Sequence, residues 1–211
     1  MFTNFFNFLQ SGGFFMVPLG IASIISVAII LERSLALRRE TILPQDLYTS
    51  IVRLKIGEDT QNIADIAGPG RSTLARLVRV SLEHLPWSRS ENVEAVETQA
   101  RTEVIKMGRF LVVLEIITGI SPLLGLLGTV SALITIFGTI GDVGLGKDES
   151  MQIARGISEA LNTTVAGLVV AIPSLIAHSY FSRKIESMTM EMESLCMDFI
   201  AKLYLLPGGE E

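Results

Sequence analysis

Four polar residues, Glu159, Asn162, Thr163 and Thr164, open one long apolar segment of this chain, and Thr129 sits inside another. Hydrocarbon offers a carboxyl, an amide or a hydroxyl no hydrogen-bond partner, so each must find one in protein or water. Groups of this kind can hold water and pass protons. A hydroxyl at membrane depth either bonds back to its own helix carbonyl or faces a polar cavity, and for Thr129, Thr135 and Thr164 both readings stand. Glu159 either snorkels outward at the interface or faces a water-filled pore together with Thr129 and Thr164.

Other chemistry finds little support. His84 and His178 lie on different segments with no cysteine or carboxylate at ligand spacing, and Cys196 is alone, so neither a metal cluster nor a disulfide can be built within one chain. There is no phosphate loop, nucleophile elbow or carboxylate pair, so no enzyme, no cofactor and no metal is expected. His178 reads as a helix-end residue reaching the headgroups.

The elements that must position the polar groups are membrane helices. The chain has 211 residues, 49% hydrophobic and 18% charged, with a mean hydropathy of +0.49, which fits a membrane protein better than a soluble domain. Three uncharged apolar runs, 14–31, 116–140 and 160–182, each approach or exceed the roughly 20 residues that cross a bilayer. The second carries Ser121, Gly125, Gly128 and Ala132 at steps of four, three and four, one narrow face that lets another backbone come close. The third carries a matching face, Ala160, Thr164, Gly167, Ala171, Ser174 and His178. The two faces can meet each other or those of a neighbouring subunit. The first span, with only Ser23 and Ser26 as polar chemistry, reads as the lipid-facing helix of the three.

Basic residues set the orientation. Twelve lie between the first and second spans, from Arg33 to Arg109, against Lys147 alone before Arg155 in the next connection, and Arg183 and Lys184 follow the third span. The positive-inside rule makes the long connection cytoplasmic, the N-terminus outside and the C-terminus cytoplasmic. A net charge of −5 without a segregated basic stripe argues against nucleic acid as a partner.

In chain order, Phe2, Phe5, Phe6 and Leu9 share one helical face, so 1–13 is expected as an uncleaved periplasmic interfacial helix. The first transmembrane helix follows over 14–32, a cytoplasmic helical domain over 33–109, the second span over 110–141, a short periplasmic loop over 142–154, the third span over 155–182, and a cytoplasmic helix and tail over 183–211. Within the cytoplasmic domain, Pro44 starts a helix that Gly57 ends, Asp59 caps the next, and Gly68-Pro69-Gly70 forces a turn. Ser72 then caps a helix whose apolar face is Leu74, Leu77, Val78 and Leu82, opposite Arg76 and Arg79, and Ser88 with Glu91 has capping-box spacing. From Ser90 to Ile140 no strong breaker appears before Pro122, which predicts one helix of about 75 Å at 1.5 Å per residue. The repeat Ile185, Met188, Met192, Leu195, Phe199 extends the third span and suits the Val93, Val96, Val104, Met107 face of that helix. The fold class is therefore an all-α membrane protein with three transmembrane helices, two of them very long.

Two runs carry a family resemblance. Ser121-Pro122-Leu123-Leu124-Gly125-Leu126-Leu127-Gly128-Thr129-Val130 and Gly156 to Pro173 closely resemble the two signature helices of the MotA/TolQ/ExbB proton-channel family, with a topology like the ExbB and TolQ branch. The resemblance covers about 14–199. It implies a homopentameric inner-membrane motor subunit around a central pore that holds the single spans of an ExbD/TolR-like dimer. It also implies a TonB/TolA-like periplasm-spanning protein as a further partner, and energised transport or maintenance at the outer membrane. A partner aspartate would carry the proton. Thr129 and Thr164 match the family's pore threonines and Glu159 its acidic residue on the third span. Asn162 and Thr163 stand where relatives carry small apolar residues, which makes this surrounding more polar, while Ser121, Pro122, Gly125, Gly128, Gly167 and Pro173 belong to helix packing. The other reading is a homo-oligomeric channel or scaffold that works without a motor partner.

Overall fold

The computed structural model describes residues 14–55, 60–68, 70, 72–143 and 147–205, with side chains for all of these except 139–143 and 147–150. The expected interfacial helix at 1–13, and the roles given to Gly57, Asp59 and Pro69, lie outside the described residues. Among the described residues every regular element is helical: α1 (Met16–Ala36), α2 (Arg39–Ile42), α3 (Gln45–Arg53), α4 (Gln61–Ala67), α5 (Thr73–Glu83), α6 (Arg89–Gly108), α7 (Leu111–Val143) and α8 (Lys147–Tyr204). Three of these, α1, α7 and α8, are long and apolar enough to cross a membrane. Contacts divide the chain into two units: residues up to Glu32 with Phe110–Ser179, and Arg33–Arg109 with the residues from Tyr180 onward.

In the first unit each membrane helix buries one narrow face. On α1 the buried residues Leu19, Ala22, Ser26 and Ile29 recur at three and four, while Val17, Ile21 and Ile24 stay exposed. The exposed side is apolar, while the buried side carries a polar contact: Ser26 and Ser174 share a hydrogen bond of 2.6 Å. Met16 and Leu19 pack with Ala166 of α8 and Leu124 of α7, so all three spans share one apolar cluster.

The second unit is built by local punctuation. Ser72 accepts from the Ala75 amide and starts α5, and the Ser88–Glu91 capping box starts α6 with both reciprocal bonds present. Gly68 and Gly70 take φ of +46° and +68°, left-handed values that a side chain resists, and they turn the chain from α4 into α5. Leu74, Leu77 and Val78 are buried as their spacing predicts. Arg76 departs from the expected outer face, because its guanidinium pairs with Glu103 of α6, a carboxylate that is 1% exposed. Lys106 and Gln99 also donate to that carboxylate at 2.9 and 3.0 Å. On α8, Ile185, Met188, Met192, Leu195 and Phe199 are all buried.

The one helix expected from Ser90 to Ile140 is two. Helical hydrogen bonding stops at Gly108 and resumes at Leu111, and the carbonyl of Met107 accepts from the Arg33 guanidinium at 2.8 Å. A terminal carbonyl that takes a buried side-chain donor no longer needs the next helical turn, and Gly108 is a poor helix former. By contrast α8 is a single helix of 58 residues, about 87 Å at 1.5 Å per residue. It starts at Lys147, so most of the stretch expected as an outer loop over 142–154 is helical.

Candidate ion-pathway site

Helices α7 and α8 meet through their smallest residues. A β-carbon placed on Gly167 would come within 2.5 Å of the Ser121 carbonyl oxygen, and one on Gly128 within 2.5 Å of the Thr163 methyl. Gly125 faces the backbone of Thr163 and Thr164 at 3.0 Å. Only glycine permits backbones this close, and the two sequence faces therefore pack on each other. Ser121 is wholly buried in this seam, where its hydroxyl has no partner among the described residues. Pro122 is half-buried and Pro173 exposed; both lie inside continuous helix and each removes one backbone donor.

The polar residues divide around that seam. The Thr164 hydroxyl crosses it and donates to the Gly125 carbonyl at 3.2 Å. The Thr129 hydroxyl donates to the carbonyl of Leu126 in its own helix at 2.6 Å, and the Thr135 hydroxyl to that of Ser131 at 3.1 Å. Thr163 is buried at 2% exposure and donates to the Glu159 carbonyl at 3.1 Å. Asn162 is half-buried and Glu159 exposed. Five residues separate Glu159 from Thr164, about 140° around the axis at 3.6 residues per turn, so they occupy opposite flanks of α8. Each donating hydroxyl keeps lone pairs that can accept from water. His178 is half-buried, and His84 lies far along the chain in the other unit, its Nδ1 2.8 Å from the Val80 carbonyl oxygen. No group of three or more His, Cys, Asp or Glu among the described residues could hold a metal.

Outside the seam both helices also expose large apolar side chains. Leu123, Leu126, Leu127, Ile134 and Phe137 of α7, and Leu161, Val169, Ile172 and Ile176 of α8, are half or more exposed on the single chain.

All of α7, and α8 as far as residue 194, fall within the stretch 71–194, over which the sequence matches the model of the MotA/TolQ/ExbB proton channel family. The chain belongs to that family. Among its relatives, biopolymer transport protein ExbB of Salmonella typhimurium is 30% identical over 186 residues, which is 82% of this chain and 73% of that protein. The ExbB-like 3 protein of Synechocystis sp. is 30% identical over 172 residues, 82% of each chain. The ExbB-like 1 protein of the same organism is 35% identical over 167 residues, 78% of this chain and 65% of that one. This chain is thus an ExbB-like member of the family, a multi-pass membrane protein of a proton-channel and transport class.

Several residues of this ExbB-like chain escaped the reading of its sequence. Ser26 was named as polar, but its pairing with Ser174 was not drawn, although it was legible as the one polar member of the Leu19, Ala22, Ser26, Ile29 stripe. Glu103 was not, because the charge pattern of α6 places it among other solvated acids and only the tertiary structure brings Arg76 to it. Glu115 was not singled out at all, yet it lies inside α7, one turn past its start, and is exposed.

Proposed function

We propose that this protein is the proton-driven motor subunit of a bacterial inner membrane. In this reading five copies form a ring whose α7 and α8 line a central pore, and the pore holds the single spans of an ExbD/TolR-like dimer. The N-terminus is periplasmic and the C-terminus cytoplasmic. The dimer's aspartate carries the proton past Thr129 and Thr164, and the resulting movement is passed to a TonB/TolA-like protein for work at the outer membrane.

The observation that carries the reading is the division of labour on α7 and α8. Their small residues are spent on each other within one chain, while bulky apolar side chains on both remain exposed. Exposed apolar surface of that extent suits lipid and further helices, which a ring around a foreign span supplies. In this reading the hydroxyls at the edge of the seam give such a pore a polar lining near mid-span. A proton falling through about 100 mV releases roughly 2.3 kcal/mol, enough to bias a two-state contact, so the work must travel through stiff elements. The 58-residue α8 is one such element.

Reconstitution of the chain alone and with its single-span partner tests the reading. Proton flux into vesicles is expected only with the partner present, and mass measurement of the complex is expected to give five copies to two. Flux through the chain alone, or failure of the two to copurify, overturns it.

A further inference from the structure

Glu115 stands in α7 with apolar neighbours Val112 and Ile116, which are 58% and 52% exposed, and with Gly119, around which the chain leaves open space. Among the described residues its carboxylate has no ion-pair or hydrogen-bond partner. A carboxylate inside a membrane helix is costly, and the cost is met by water, a cation or protonation. Its position along the helix is informative. Glu115, Pro122 and Thr129 recur every seven residues, so at 100° per residue they fall within about 40° of one another, on one side of α7, over about 21 Å. Between them Pro122 has no N–H to offer the carbonyl of Thr118, which is left without its helical donor on the same side. The Thr118 hydroxyl does not fill that gap, since it donates to the Leu114 carbonyl at 2.8 Å. One side of α7 therefore presents a hydroxyl oxygen, a bare carbonyl oxygen and a carboxylate in descending order.

We infer that Glu115 is a proton-relay residue at the inner end of the pathway. It takes protons that arrive by water held at the Thr129 hydroxyl and the Thr118 carbonyl. The carboxylate accepts one proton, becomes the neutral acid, and returns to the carboxylate by releasing that proton to water at the Leu111 end of α7; no other reactant is needed. This rests on the motor reading above, which makes that end cytoplasmic.

The experiment measures proton flux in vesicles containing the full chain and its single-span partner, for wild type, Glu115→Gln and Glu115→Asp, with the size of each complex checked by mass. The expected result is a complex of unchanged size, flux reduced at least tenfold in Glu115→Gln, and recovery to within about threefold in Glu115→Asp. Wild-type flux in Glu115→Gln overturns the inference. So does a Glu115→Gln complex that fails to assemble, which would make the carboxylate an interface group, and so does a Glu115→Asp variant as inactive as Glu115→Gln. If the wild-type complex itself carries no protons, it is the motor reading that fails.

Discussion

The Thr164 hydroxyl reaches from α8 to the carbonyl of Gly125 on α7, at 3.2 Å, across a seam where neither helix could carry a larger residue. The same residue thus serves packing and, in the proposed function, the polar lining. Its hydrogen is committed to the backbone, and its lone pairs are what it can offer to water. A threonine so held keeps a fixed oxygen position at the edge of the seam.

Glycines in the seam and outside it should behave oppositely. Gly167→Ala drives a methyl toward the Ser121 carbonyl and must push the helices apart, at a cost of about 1–3 kcal/mol typical of overpacking. Gly119→Ala meets nothing within 4 Å in the chain and should leave its fold unharmed. Thermal unfolding of the detergent-solubilised chain should show a lowered midpoint for the first and none for the second.

Glu103 gives the second unit a pH dependence. Burial opposes its ionisation, but hydrogen bonds from Arg76 and Lys106, and their charges, outweigh that and hold the carboxyl below its ordinary value of 4.5. A carboxyl lower in the folded than in the unfolded state stabilises fully above the unfolded value, and the benefit is lost as pH falls through the folded one. Glu103→Gln should therefore cost about 1–3 kcal/mol at neutral pH, less than a fully buried pair because Arg76 and Lys106 are partly in water. The gap in thermal midpoint between variant and wild type should narrow below pH 4.5; a gap that widens with acid would contradict the assignment.

Cys196 should be inert. It is buried at 3% exposure, and burial, with a smaller contribution from the charge of Glu193, pushes its thiol up to about 12. The thiolate is the reactive form, so a maleimide at pH 7.5 should label the unfolded chain within minutes and the folded chain at least tenfold more slowly. Rapid labelling of the native protein would show that this face of α8 opens.

The sequence made the helices and their caps readable because those depend on local chemistry. Ser72, Ser88 with Glu91, and the glycines at 68 and 70 act within a few residues of themselves. The seam was readable too, since Gly125, Gly128 and Gly167 leave room that something must fill. What stayed hidden depends on distant partners. Arg76 looks solvated until Glu103 is brought beside it, and the break at Arg109–Phe110 is visible only once Arg33 takes the Met107 carbonyl. For Glu159 and Thr164, five positions of helix put the two on opposite flanks, a consequence of periodicity that grouping them by polarity overlooked.

The most direct measurement concerns the two threonines. Thr129→Val with Thr164→Val keeps side-chain shape and removes both hydroxyls, so complex size should be retained while proton flux through the reconstituted complex falls at least a hundredfold. A double variant that assembles and carries protons at the wild-type rate would contradict the account.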